Sequence, residues 1–420
     1  MDDRLATAWS RLPDYLSQHV ILSASALLLG LLISIPLAIA AHRHSVVRWP
    51  VLTLASVIQT IPSLALLALF YPLLLALSAA TSGLGLQFSA LGFLPSLLAL
   101  TLYSMLPIIR NTVAGLQGVD ADVREAARGV GMTDNQMLAR VELPLAAPVI
   151  MAGVRTAAVW VIGTATLSTP VGQTSLGNYI FTGLQTENWV FVLFGCAAAA
   201  ALALIVDQLL GLIESGVAKR ERRRVIIGAA ALGLGALLAV TPSLVSARAS
   251  YTIGAKSFTE QYILAQLIGD ELSENGMSAQ RRVGLGSSVI FRALASNEID
   301  AYVDYSGTIW SLHMQREDSP GREAVLQEMS DWLMREHGIL SLGPLGFENA
   351  YALAMRRERA EELGVRTISD LARVAPRLAM GGDFEFFGRP EWEALRDTYR
   401  LAFRDRREYQ STFMYRAVAD

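Results

Sequence analysis

Along the first 245 residues, apolar side chains run in long blocks separated by short polar loops; after residue 250 the blocks shorten and alternate with charge. Windows of about 20 apolar residues, the length a helix needs to cross a bilayer core, fall at 20–41, 51–78, 91–109, 145–167, 190–213 and 225–245. They predict six crossings. Beyond them the pattern predicts strand and helix in turn. A strand over 251–257 is followed by a helix that Thr259 and Glu260 can cap, running through Tyr262, Leu264, Leu267, Ile268 and Leu272 to Asn275-Gly276. A second strand ends at Gly284-Leu285-Gly286, Ser287 and Ser288 open a helix, and 299–305 form a third strand. That is βαβ architecture, an α/β lobe on a mainly parallel sheet. Residues 338–347 then lead to an apolar strand at 351–355 and short helices, a second lobe, and two lobes facing each other make a cleft.

Charge divides the chain at the same place. The first 249 residues carry 15 Lys and Arg against 12 Asp and Glu, and the last 171 carry 20 against 26. Neither part has the positive excess of a nucleic-acid binder. The lone Cys196, in an apolar run, leaves no disulfide framework and no thiolate cluster. Loop 42–49 holds Arg43 and Arg48, loop 110–144 holds Arg110, Arg124, Arg128 and Arg140, and 219–224 holds five basic residues, whereas 79–90 and 168–189 hold none. By the positive-inside rule the basic loops are cytoplasmic, the N-terminus is outside, and everything after Ala249 lies on the outer face. The basic run, the sixth apolar block and Ala247-Arg248-Ala249 also imitate a signal peptide. Cut or uncut, the same domain is exported; uncut, it stays tethered.

The second basic loop reads Glu125-Ala126-Ala127, three residues, Gly131, nine residues, then Val141-Glu142-Leu143-Pro144. Ala126 and Ala127 allow close helix approach, Gly131 permits a sharp turn, and Pro144 can begin a span where its missing N–H costs nothing. An ordinary amphipathic loop is the plain alternative. The spacing resembles the EAA loop of ABC importer permeases, with Val141 for the usual Ile as the single departure. The resemblance implies that Glu125, Ala126, Ala127, Gly131, Leu143 and Pro144 form a docking surface for a cytoplasmic ABC ATPase dimer. The segments Gln59-Thr60-Ile61-Pro62-Ser63-Leu64 and Leu102-Tyr103, with Leu106 to Asn111, resemble permeases for osmoprotectant quaternary amines. Gln59 and Arg110 are polar groups near membrane depth, facing either a pathway or a helix neighbour and the interface. One departure is Gly172-Gln173-Thr174-Ser175-Leu176-Gly177, where such permeases carry a glycine-rich run.

No ATP site is encoded. Gly254-Ala255-Lys256-Ser257 lacks the Gly-x4-Gly-Lys spacing of a phosphate loop, so ATP is expected to be used by a separate subunit and no cofactor by this chain. The five His, at 19, 42, 44, 313 and 337, form no His-x3-His pair, so no metal site is expected. No Gly-x-Ser-x-Gly elbow or other catalytic constellation appears, and an enzyme is not expected.

From Tyr251 onward the chain is similar to the extracytoplasmic binding domains of glycine betaine, choline and carnitine importers. The residues that carry this are Lys256 to Tyr262, Gly284-Leu285-Gly286, Glu298-Ile299-Asp300, Tyr302 to Thr308, and Gly346 to Tyr351. A quaternary ammonium cannot donate a hydrogen bond, so its recognition rests on aromatic faces, each contributing roughly 0.5 to 2 kcal/mol. The resemblance assigns Tyr305 and Tyr351 to such a cage, the alternative being core tyrosines. It assigns Lys256, Thr308 and Arg389 to a carboxylate clamp and Asn349 to the cage; for Lys256, the lone lysine after residue 250, the alternative is a solvated surface cation. Asp304 reads as structural. Relatives of this kind continue past the point where this sequence stops, so the binding domain is expected to be incomplete at its C-terminus.

The whole reads as a helical permease (1–218, coupling loop 115–144), a basic run with a sixth span (219–249), and a two-lobed α/β domain of periplasmic-binding-protein type II (250–420). Expected partners are the ATPase dimer, a second copy of the chain, the bilayer of a bacterial inner membrane and a quaternary-amine zwitterion such as glycine betaine, with choline, carnitine or ergothioneine as alternatives, and no nucleic acid. The rivals are a ligand-gated channel or a membrane sensor, either of which can join a two-lobed domain to spans.

Overall fold

The computed structural model describes residues 3–81, 88–245, 251–318, 320–383, 385–409 and 411–419. The signal-like Ala247-Arg248-Ala249 and part of the 79–90 loop lie outside them. The chain gathers into two compact units. One comprises Met1–Gly183, Trp189–Ser257 and Gln261–Val303; the other comprises Leu184–Asn188, Phe258–Glu260 and Asp304–Asp420.

In the first unit the apolar blocks are helices: α1 (Asp3–Arg43), α2 (Ser45–Thr60), α3 (Ser63–Thr81) and α4 (Phe93–Gln117). After the loop helices α5 (Ala121–Gly129) and α6 (Asp134–Met137) come α7 (Leu143–Ala165), α8 (Gly177–Gln185), α9 (Trp189–Ala218) and α10 (Arg222–Val245). Among the described residues five are long and apolar enough to cross a membrane, and α2 with α3 passes the same test only as a bent pair. α1, α4 and α7 pack together at the centre, sharing Leu22, Ala26, Leu100, Val161 and Ala165. Small residues allow this: a Cβ at Gly30 would overlap the Ser104 hydroxyl, and one at Gly153 would lie 2.7 Å from the Pro107 carbonyl.

The second apolar block is not the continuous span that hydropathy predicts. It bends by 102° between α2 and α3. Pro62 has no N–H to continue the ladder and drives Ile61 out of helical backbone, to φ −69° and ψ 127°. The Tyr103 hydroxyl donates to the Ile61 carbonyl, so the opened turn keeps a partner where lipid offers none.

The same unit holds a three-stranded parallel sheet in the order β2-β1-β3, built from β1 (Tyr251–Lys256), β2 (Ala279–Leu285) and β3 (Ala301–Tyr302). α11 (Thr259–Glu274) and α12 (Ser287–Ala295) are the crossovers. Ile253, Ala255, Tyr262, Ala265 and Val283 form the core beneath it. β3 is shorter than the predicted 299–305. The Asp304 carboxylate accepts the Tyr305 N–H at 2.7 Å, and the Tyr305 carbonyl accepts that of Thr308 at 2.9 Å, which turns the chain into a helix.

The second unit runs through α13 (Ser306–Thr308), α14 (Arg322–His337), α15 (Arg357–Leu363), α16 (Ile368–Val374), β4 (Ala379–Gly382), α17 (Pro390–Tyr399), β5 (Asp405–Glu408) and α18 (Ser411–Ala419). β4 and β5 pair in parallel, with α17 as the crossover such pairing requires. Met380, Phe386, Trp392 and Leu401 are its core. The strand expected at 351–355 is absent: these residues join no ladder among the described strands, and Leu353 packs on that core instead. A short apolar run can pack on a core without a strand neighbour, which pattern alone does not reveal.

Candidate functional site

Two sets of residues carry the expected activity. The first is the loop between α4 and α7. Asp120 caps α5 by accepting the Asp122 N–H at 2.9 Å. The helix closes on Gly131 at φ +80°, where the N–H groups of Gly131 and Met132 bond back to the Arg128 and Ala127 carbonyls at 2.9 and 3.1 Å. This is the left-handed stop that favours glycine. Thr133 and Gln136 form a capping box for α6. The chain then widens into a π turn (Leu138–Glu142), and Pro144 falls in the first turn of α7. Ala127 faces inward, while Glu125, Ala126, Gly131 and Pro144 are exposed and Leu143 is half-buried. Val123 and Val130 are exposed beside them. Arg43, at the end of α1, donates to Asn135 Oδ1 at 2.9 Å. The loop is thus a capped, braced surface with small and apolar groups outward.

The second set is the expected ligand cluster. Arg389 lies between a short turn (Phe386–Gly388) and α17, with extended backbone and proline next in line. Its guanidinium donates to Thr308 Oγ1 at 3.3 Å and to Glu385 Oε1 at 2.9 Å. Burial works against its charge, and the Glu385 carboxylate together with Tyr351 and Glu391 offsets that, holding it above the usual arginine value. Tyr305 begins α13 and donates its hydroxyl to Glu260 Oε1 at 2.5 Å; Asn349 Nδ2 donates to the same oxygen at 3.2 Å. Tyr351 is 58% exposed and packs its ring on Phe386 at 5.0 Å, within electrostatic reach of Arg389.

The second unit therefore joins Thr308 to Arg389 directly and Tyr305 to Asn349 through Glu260. Lys256 belongs to the first unit, at the end of β1, where it is 1% exposed. That burial excludes the solvated-cation alternative. Glu260 and Glu385 were not singled out as site residues; Glu260 read as a helix cap. Glu260 stands within the Lys256 to Tyr262 segment, and its pairing with Tyr305 and Asn349 joins residues that no local rule connects. A cavity of about 790 Å³ by Phe387, Phe403 and Arg406 contains none of the expected ligand residues.

Comparison with known proteins covers both sets. Residues 28–219 match the family described as the binding-protein-dependent transport system inner membrane component. Residues 249–420 match the substrate binding domain of the ABC-type glycine betaine transport system. The ergothioneine transport permease/ergothioneine binding protein of Helicobacter pylori (strain G27) is 30% identical over 406 residues, which cover 93% of this chain and 70% of that protein. A choline transport system permease protein of Bacillus subtilis (strain 168) is 39% identical over 47% of this chain and 84% of its own length. A carnitine transport permease protein of Listeria monocytogenes is 40% identical over the same shares. With an inner-membrane component and a binding domain in one sequence, and a relative aligned across both, the chain belongs to the family of ABC importers in which a membrane permease is fused to a glycine betaine-type substrate-binding domain.

Proposed function

We propose that this chain is the permease and receptor subunit of an ATP-driven importer for a small quaternary-amine zwitterion. The observation that carries the reading is the alignment of both halves with one relative whose printed role joins a transport permease to a binding protein. The residue chemistry supports it. Arg389, with Thr308 beside it, offers fixed donors to a carboxylate, and the rings of Tyr305 and Tyr351 offer faces to a diffuse positive charge. Lys256 and Asn349 are the further residues that the family resemblance assigns to the ligand. Of the relatives' printed substrates, ergothioneine and carnitine carry both a quaternary ammonium and a carboxylate, as glycine betaine does, whereas choline offers the cage its ammonium alone.

The chain resides in a bacterial inner membrane, with the loop carrying Glu125 in the cytoplasm and residues after 250 outside. Two copies pair around the pathway. Each docks one ATPase of a dimer through Glu125, Ala126, Ala127, Gly131, Leu143 and Pro144. Reconstitution of the chain with its ATPase in vesicles tests this: ligand should stimulate both ATP hydrolysis and its own uptake. Ligand-evoked passive ion current without ATP hydrolysis would instead establish the channel reading. A thermal-shift screen of glycine betaine, proline betaine, carnitine, choline and ergothioneine selects the ligand.

A further inference from the structure

The first compact unit holds more than the membrane helices. The lobe formed by β1–β3, α11 and α12 is built onto them. Leu91, just before α4, is 2% exposed. It shares one apolar cluster with Leu285, Ile290, Ala293 and Ile299 of the lobe, and Tyr71 of α3 packs against that cluster. An apolar side chain of the permease thus serves as a core residue of the receptor lobe.

Beside it Glu298 draws together polar groups of both parts. Glu298 Oε2 accepts the Ser89 hydroxyl at 2.8 Å, and Oε1 accepts the Ala90 N–H at 3.1 Å. Arg282 Nη1 lies 3.6 Å from the same carboxylate. The next residue but one, Gly92, donates its N–H to the Val171 carbonyl at 2.8 Å. A Cβ placed on Gly172 would lie 3.5 Å from Leu285 of the lobe. A continuous set of contacts therefore runs from Glu298 through residues 89–92 to the turn at 166–172, which leads directly into the segment that departs from the glycine-rich pattern. On another side Arg11 of α1 donates to Gln266 of α11 at 3.2 Å.

We propose that this lobe stays seated on its own chain's permease throughout transport, and that Glu298 is the positioning residue that holds it there and braces the 89–92 segment against the 166–172 turn. A receptor that came off in each cycle would have to expose Leu91 and leave the Glu298 carboxylate and the Ala90 N–H without each other. Apolar burial and charge-assisted hydrogen bonds both oppose that. Glu298 acts through Ser89 and Ala90 and touches no ligand in this account.

The inference rests on the importer reading, and its test separates the two. In a Cys196→Ala background, Ser89→Cys and Glu298→Cys are joined by a short bis-methanethiosulfonate bridge, reversible by dithiothreitol, in the reconstituted importer. A seated lobe predicts that bridging leaves uptake at least at its unbridged level. Uptake that disappears on bridging and returns on reduction would overturn the proposal while leaving the importer intact; absence of ATP-driven uptake in the wild-type chain would overturn the importer reading itself.

Single variants supply the second arm. Glu298→Ala should lower maximal ligand-stimulated uptake about tenfold, the factor equivalent to one charge-assisted hydrogen bond, with ligand affinity of the whole complex unchanged. Glu298→Gln keeps one acceptor oxygen and should recover part of the loss. Ser89→Ala, a change too small to threaten folding, should give a smaller loss of the same kind. A Glu298→Ala protein that folds, binds ligand and transports at the wild-type rate would also overturn it.

Discussion

The loop between α4 and α7 and the set of expected ligand residues are built in opposite ways. Between Asp120 and Pro144 nearly every bond that shapes the loop is local: a cap two residues away, a glycine stop, a capping box three residues long. The expected ligand residues are held mainly by pairs far apart in sequence, Arg389 with Thr308 and Glu260 with Tyr305 and Asn349, and only the pair of Arg389 and Glu385 is local. A locally determined element keeps its shape when its outward face changes. A site held by long-range pairs has no side chain that is only functional or only structural. Substitutions in the loop should therefore separate function from folding, and substitutions in the cluster should mix them.

Glu125→Lys puts this to its hardest test. Glu125 is exposed on α5, so reversing its charge should leave folding and ligand affinity unchanged while ligand-stimulated uptake falls to near background. Uptake assays beside calorimetry on the same preparation check it. Unchanged uptake would remove the docking role; a parallel loss of affinity would show that the loop is not independent.

Arg389→Ala should have the next largest effect, on affinity. Removing one member of a half-buried charge pair costs about 2 to 5 kcal/mol, part of it for leaving Glu385 unpaired, so affinity should fall by a factor on the order of a hundred with some loss of stability. Arg389→Lys keeps the charge and loses the fork, and should recover only part of the affinity. Full recovery would mean that a point charge suffices and the pairing with Thr308 is incidental.

Tyr305 divides the two kinds of contribution within one residue. Tyr305→Ala removes the ring face, roughly 0.5 to 2 kcal/mol against a bound quaternary ammonium, and the bond to Glu260. Tyr305→Phe removes the bond alone. Because Glu260 accepts that hydroxyl, Phe should not be silent, and the expected order in calorimetry is Ala worse than Phe, Phe worse than wild type. Equal losses would assign the role to the hydrogen bond.

What sequence made legible follows the same division. The apolar blocks, the loop with its glycine stop and the β1-α11-β2 unit are set by spacings of a few residues, and they appear where the pattern places them. The bend at Ile61 was written in Pro62, yet a continuous hydropathy window passes over a single proline. Tyr351 reads as a strand residue because it opens a short apolar run, and such a run carries no information about whether a partner strand exists. Glu298 and Glu260 stood inside recognisable motifs, but their partners, Ser89 with Ala90 and Tyr305 with Asn349, lie far off in sequence, and no local rule connects them.

The smallest predicted effect is a control placed inside the receptor half. Thr367 and Asp370 cap α16 reciprocally: Thr367 Oγ1 accepts the Asp370 N–H at 3.1 Å, and Asp370 Oδ2 accepts the Thr367 hydroxyl at 2.9 Å and its N–H at 3.0 Å. The Thr367 hydroxyl, then the Arg366 N–H, hold the Asp370 carboxyl below the usual carboxylate range. A group lowered in this way contributes stability that is fully present above its unfolded value and is lost as pH falls through the lowered one. Thr367→Ala should cost about 1 kcal/mol near neutral pH, the usual cost of losing a helix cap, and leave ligand affinity alone, since the cap touches no member of the cluster. The gap to wild type in thermal unfolding should narrow as Asp370 becomes protonated in acid. A gap that widened in acid would show that the hydroxyl does not stabilise the ionised carboxylate. A loss of affinity would show that even a local motif in this half is tied to the site, and the contrast with the coupling loop would fail at its simplest point.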